Sequence, residues 1–256
     1  MTVSAEVDGR VGWITLDRPP ENRLDAGEPE ELDVAVGRVA EAEVAVAVIR
    51  SGSEGWFCAG ADLREFLERS PEANLTACRR AHQVLGRFAD EAPLLVTAIA
   101  GHALGLGYEI ALACDIRVAA QGRYRIGLPE VTLGLLPGTG GAQRLPRLIG
   151  RGWALELLTT GRTVTPAEAE HLGMVDRLVP AGEFDQAVAA LANGLAAGVP
   201  LAVAAITRVV NDGLERPLDD ALERDLDELA ELYASEDARE GMTAALERRP
   251  PRFTGR

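Results

Sequence analysis

The sequence contains no lysine; all 26 of its Lys/Arg positions are arginine. That excludes Schiff-base chemistry and a P-loop lysine. Aromatic residues are also few, at 4% against 47% hydrophobic residues in all, so the core is expected to be aliphatic: Ala, Leu, Val and Ile. Positive charge is scarce: the formal net charge is −14. Nucleic acid and anionic membranes both need a basic face, so neither is expected as a partner. Cys58, Cys78 and Cys114 are odd in number and irregularly spaced, without a disulfide framework or metal-ligand spacing. No metal is expected, and reduced thiols fit a cytoplasmic protein. The first ten residues, MTVSAEVDGR, lack the apolar core of a signal peptide. No run of about 18 apolar residues offers a transmembrane span. No Gly-x-Ser-x-Gly elbow supports a serine hydrolase.

What is present centres on Gly101–Asp115, GHALGLGYEIALACD. Gly101, Gly105 and Gly107 lie in an apolar run, and Glu109 is the only polar residue from Tyr108 to Cys114. Length and lack of breakers predict a buried helix of about two turns, entered through a glycine-rich turn. Such a turn brings backbone N–H groups close to a ligand, and the first N–H groups of a helix favour negative charge. A carboxylate one turn into an apolar helix is costly unless it is paired or used.

Around this stretch the chain reads as α/β. Val3–Asp17 predicts a hairpin about Asp8-Gly9, and Glu28–Val39 a helix. Val44–Ile49 predicts a buried strand. Asp62 is placed to cap a short helix through Glu68. Ser70–Asn74, polar and carrying Pro71, reads as a candidate lid, and Ala77–Ala89 as an amphipathic helix. Leu94–Ala100 and Ile116–Ala119 predict strands. Ala142–Leu158 reads as helical, with Pro146 expected to distort or interrupt it. Thr165–Glu168 is a capping box with Pro166 at the first helical position, and Gly173 a stop. After Met174–Val179 the pattern is helical, and Leu218, Leu222, Leu226, Leu229 and Leu232 form one stripe. The expected division is an α/β part, residues 1–195, and a helical part, 196–256.

Three segments stand in order: Trp56-Phe-Cys-Ala-Gly-Ala-Asp-Leu63, Gly101-His-Ala-Leu-Gly-Leu-Gly-Tyr-Glu109, and Gly127-Leu-Pro-Glu130 continuing to Leu133-Gly-Leu-Leu-Pro-Gly-Thr-Gly-Gly-Ala-Gln-Arg-Leu145. Together with Asp17-Arg-Pro-Pro-Glu-Asn-Arg-Leu24 and the Arg248-Arg-Pro-Pro-Arg-Phe tail, they resemble the enoyl-CoA hydratase/isomerase (crotonase) family over nearly the whole chain. The resemblance implies a spiral of repeated ββα units with a helical C-terminal region that builds trimers, often paired into hexamers. It implies an acyl-CoA thioester as substrate and no prosthetic group. It implies an oxyanion hole made by the N–H groups of Ala61 and Leu106, and a catalytic pair, Glu109 and Glu130. In that pair the first mainly activates water and the second mainly exchanges the C2 proton. Residues implied around the CoA thioester are Arg23, Ala59, Gly60, Asp62, Leu63 and Gly105.

The family runs several reactions. Monofunctional isomerases usually lack the first Glu, while dienoyl isomerases and dehalogenases need an Asp after Glu130. Val131–Gly141 holds no acid, and the dienoyl isomerase Asp position falls on Gly138. The two glutamates favour a hydratase, or a dehydratase in reverse. Leu106 stands where Gly is commonest, and Ala119–Arg125 carries an apparent extra residue. These departures motivate the alternative of a specialised enzyme, an isomerase or dehydratase, acting on an unusual acyl-CoA; a non-catalytic binding member is a further alternative, against which the −14 charge argues where nucleic acid is the partner. Arg23, Arg248 and Arg249 are candidate phosphate contacts in the absence of lysine. Cys58, Cys114 and His102 read as packing residues.

Overall fold

The computed structural model describes residues 2–25, 28–88, 93–214 and 216–256. It opens with an antiparallel hairpin, β1 (Val3–Asp8) and β2 (Val11–Leu16), joined by the two-residue loop Gly9-Arg10. There follow β3 (Arg23–Leu24), α1 (Glu28–Glu41), β4 (Val46–Ser51), β5 (Trp56–Cys58), β6 (Gly60–Ala61), α2 (Leu63–Glu68), α3 (Pro71–Arg87), β7 (Leu94–Ile99), β8 (His102–Leu104) and α4 (Leu106–Ala113). Then come β9 (Ile116–Ala120), β10 (Ile126–Gly127), a 3-10 turn at Glu130–Leu133, α5 (Gly141–Ile149), α6 (Arg151–Thr160), α7 (Pro166–Leu172) and β11 (Arg177–Val179). A 3-10 turn at Ala181–Glu183 leads to α8 (Phe184–Ala196), α9 (Pro200–Gly213), α10 (Leu218–Tyr233) and α11 (Glu236–Glu247).

The strands fall into two main sheets, which makes the chain a spiral. One has the order β1-β2-β4-β7-β9-β11, parallel except for the hairpin, and the other the order β10-β8-β5, all parallel. Each turn places its first strand in the large sheet (β4, β7, β9) and its second in the small one (β5, β8, β10), then returns through helix. This is the α/β spiral of ββα units that the resemblance implies, with helices after β11. Val46–Ile49 in β4 is fully buried, as an interior parallel strand demands. Contacts divide the chain between Asn193 and Gly194, inside α8.

Two local readings are corrected. Ser70–Asn74, read as a candidate lid, is the capped start of α3: the Ser70 side chain accepts the Ala73 N–H at 3.2 Å, and Pro71 takes the first helical turn, where its missing N–H costs nothing. Ala89, the end of the expected helix there, lies outside the described residues. The Ala142–Leu158 segment breaks at Gly150 (φ 81°), whereas Pro146 sits inside α5. Asp62 caps α2 through the Arg64 N–H, and Thr165 caps α7 through the Glu168 N–H.

In the helical unit, Arg208 pairs with Glu228, and Asp237 in α11 holds the Thr254 and Gly255 N–H groups of the tail. Leu218, Leu222 and Leu226 in α10 are 72%, 50% and 58% exposed. Among the described residues, no single helix is long and apolar enough to cross a membrane.

Candidate active site

Three chemistry-bearing segments leave the small sheet side by side. The chain beyond β5 gives Gly60-Ala61, beyond β8 Gly105-Leu106, and beyond β10 Glu130. All three strands are parallel, so the segments emerge at one carboxyl-end edge, where open α/β sheets bind ligands. Direct bonds hold them together: the Gly105 N–H donates to Gly127 O at 3.0 Å, and the Ala103 N–H to Arg125 O at 3.0 Å.

Gly105 is the N-cap of α4, with φ 53° and ψ −128°, a region nearly closed to residues with a Cβ. A Cβ there would stand 3.1 Å from Glu130 Oε1. Gly60 has φ 95°, and a Cβ on it would lie 2.8 Å from Leu104 O and 3.5 Å from Leu106 N. Glycine at both positions lets these backbones and the Glu130 carboxylate converge. Leu106 is the first residue of α4, and its N–H finds no acceptor among the described residues. That amide is oriented by the helix start, where positive partial charge collects. The Leu106 side chain packs against the core and lines a small apolar cavity with Leu24, Leu32, Leu85 and Ile110.

Glu109 lies one turn into α4 and is 2% exposed. Its Oε1 accepts the N–H groups of Thr139 and Gly141, both at 2.8 Å, and its Oε2 accepts the Thr139 hydroxyl. Gly141 is the first residue of α5, so the carboxylate also sits at a helix N-terminus. Arg144 donates to Thr139 O at 3.0 Å, bracing that residue from the other side. Burial lowers the Arg144 pKa, and the Glu109 charge opposes the shift.

Glu130 has a different environment. Its Oε2 is buried without a hydrogen-bond partner. Burial, followed by the negative charge of Glu109, raises its pKa from 4.5 to about 7, against a backbone N–H bond that lowers it. One carboxylate thus accepts three hydrogen bonds, and the other has a buried oxygen with none among the described residues and a pKa pushed up to about 7.

Of the other expected residues, Ala59, Gly60 and Ala61 border β3, with the Ala59 N–H donating to Glu21 O at 3.0 Å. Asp62 caps α2, Leu63 begins it and is 42% exposed, and Arg23 pairs with Glu21 at 2.5 Å. Arg249, a candidate phosphate contact, is engaged by Glu240 and Glu247 inside the helical unit. Arg248 forms the left-handed cap of α11. His102 stacks on Trp56 at 4.6 Å while its Nδ1 accepts the Arg125 N–H.

Four supporting residues were not anticipated: Thr139, Arg144, Cys78 and Asn22. Cys78, on α3, places Sγ 3.2 Å from where a Cβ on Gly138 would stand, and burial followed by the Glu109 charge raises its thiol pKa. Asn22 is fully buried and donates to Leu16 O, Ser51 Oγ and Phe57 O, while its Oδ1 accepts from the Arg18 N–H and the Ser53 hydroxyl. It ties the segment before β3 to β5, just ahead of Gly60. Its one sequence signal is an Asn in a Pro-rich turn, consistent with its φ of 49°. Among the described residues, no cluster of His, Cys, Asp or Glu is placed to hold a metal ion.

Comparison with known proteins follows the same lines. The family model described as enoyl-CoA hydratase/isomerase matches residues 6–256. A Mycobacterium tuberculosis protein named as a probable enoyl-CoA hydratase is 38% identical over 256 residues, 100% of this chain and 98% of its own. A Clostridium acetobutylicum short-chain-enoyl-CoA hydratase is 34% identical over 249 residues, 96% of this chain and 95% of its own. A solved Geobacillus kaustophilus structure superposes with a TM-score of 0.97 at 34% identity, covering 100% of this chain and 97% of that one. The Bacillus anthracis enoyl-CoA hydratase gives 0.94 at 33%, covering 100% of both.

Proposed function

The chain belongs to the enoyl-CoA hydratase/isomerase family, and from that premise we propose that it adds water across the C2=C3 bond of a 2-enoyl-CoA through the Glu109/Glu130 pair. The observation that carries this reading is the unequal treatment of two glutamates at one sheet edge: Glu109 is held by three donors, whereas Glu130 has a buried oxygen with no partner among the described residues and a pKa pushed up to about 7.

The thioester oxygen accepts the N–H groups of Ala61 and Leu106. Water held by Glu109 attacks C3 and gives a proton to that carboxylate. The C2=C3 electrons move toward the thioester, whose oxygen becomes enolate-like. The enolate collapses as C2 takes the proton of Glu130, and the 3-hydroxyacyl-CoA leaves. Glu109 now carries the proton that water lost, and exchange with solvent resets the pair. Donors fixed before reaction stabilise the developing oxyanion without reorganising, an effect of about 2.7–4 kcal/mol per donor in comparable sites. The reverse sequence is dehydration. No prosthetic group is required, since polarisation comes from the backbone and protons from the carboxylates.

A panel of 2-enoyl-CoAs of increasing chain length, with loss of enoyl absorbance and identification of product, tests the reading. Formation of 3-hydroxyacyl-CoA supports it; if no acyl-CoA is bound or converted, it fails.

The assembly belongs to the same proposal. The exposed leucines of α10 support association of this chain with copies of itself, as a trimer or a hexamer.

A further inference from the structure

Thr139 meets the Glu109 carboxylate twice, through its N–H to Oε1 and its hydroxyl to Oε2. It is 7% exposed, comes from a turn 30 residues further along the chain, and has its own carbonyl fixed by Arg144. An ionised carboxylate offers about four acceptor positions. The two N–H groups on Oε1 fill that oxygen, and the hydroxyl takes half of Oε2.

We propose that Thr139 is a positioning residue for hydration: its hydroxyl leaves Glu109 a single acceptor direction, on Oε2, and so fixes where the reacting water is held. This rests on the reading of Glu109 as the water-activating carboxylate. The backbone donors alone fix Oε1 but leave Oε2 free to hold water in two directions. The side chain removes one of them. A hydroxyl can do this because it donates to the carboxylate; a methyl group of the same size cannot.

The test compares Thr139→Val, Thr139→Ser and Thr139→Ala in the hydration of crotonyl-CoA, with Glu109→Gln as reference. Thr139→Val, which places a methyl against Oε2, lowers kcat by roughly ten- to a hundredfold, the range of one hydrogen bond to a charged group. KM for the thioester stays within about twofold, because the backbone oxyanion donors are untouched. Thr139→Ser keeps the hydroxyl and returns kcat to within about threefold of the parent; Thr139→Ala falls between, because water can enter the vacated place. Thermal unfolding establishes that each variant is folded. If the Val variant does not fold, the Ala and Ser variants decide, and Ala must be at least about threefold slower than Ser. Activity of all three near the parent, or a Ser variant as slow as the Val variant, overturns the proposal. If Glu109→Gln itself hydrates normally, the reading beneath the proposal fails. If Glu109→Gln is inactive and Thr139→Val is not slowed, only the role of Thr139 fails.

Discussion

A Cβ placed on Gly105 would stand 3.1 Å from Oε1 of Glu130, so the glycine turn before α4 and the carboxylate beyond β10 occupy one small space. The contact joins the proposed oxyanion donor at Leu106 to the proposed acid. Gly105→Ala must move Glu130 and must also hold alanine at φ 53° and ψ −128°. The expected outcome is a loss of at least about tenfold in kcat together with a lowered unfolding temperature, since such backbone strain costs of order 1–3 kcal/mol. Steady-state kinetics and thermal unfolding of the variant check both.

The raised pKa of Glu130 gives the pH dependence a sign. Hydration needs Glu130 protonated, so its rate falls as pH rises through about 7; dehydration needs it ionised, so its rate rises over the same interval. Rates measured in both directions across neutrality should cross in this way. A hydration rate that climbs through neutrality would assign the proton to another group.

Stability should change with pH in the same direction as hydration. The folded pKa of Glu130 lies above its reference value of 4.5, so its stabilising contribution is full below 4.5 and is lost as pH rises through about 7. Glu130→Gln has no charge to bury. Its melting temperature relative to the parent should therefore be higher above neutrality than at acid pH. Equal differences at both would show that the group is ionised at no cost.

Asn22 is predicted to matter beyond its own hydrogen bonds. Asn22→Ala leaves the carbonyls of Leu16 and Phe57 and the Arg18 N–H without that partner. A loss of about 2–4 kcal/mol in denaturant unfolding is expected from several buried groups stranded at once. Activity should fall too, because Phe57 leads directly to Gly60.

The leucine stripe gives a test of assembly. Leu226→Glu places charge in the middle of the exposed face of α10, and analytical ultracentrifugation should show a smaller species than the parent. An unchanged mass would direct attention to a different surface.

Legibility in the sequence followed the range of the interactions. The leucine stripe from Leu218 to Leu232 was readable because its pattern is local, and it lies within α10. The Asp62 and Thr165 caps were readable for the same reason. Pro71 was misread because proline both breaks helices and begins them, and Ser70 as cap decides which. The break at Gly150 was assigned to Pro146 because a proline five residues into a helix is the stronger prior signal, whereas the chain turns where glycine permits a positive φ. Gly60, Gly105, Glu109 and Glu130 were marked together by the resemblance to the family, and the parallel small sheet brings their segments to one edge. Thr139 and Arg144 were not readable: nothing near them in sequence marks a partner on α4, and their role exists only once α5 is set against it. The raised pKa of Glu130 likewise depends on burial that no local pattern encodes.

The most direct measurement is the turnover of crotonyl-CoA by the parent, Glu109→Gln and Glu130→Gln, followed by loss of enoyl absorbance, with thioester binding measured in parallel. Each variant is predicted to bind the thioester yet turn it over at least about a hundredfold more slowly, the scale of a lost general acid or base. Near-parental turnover in either variant would contradict the assignment of the two carboxylates as the catalytic pair.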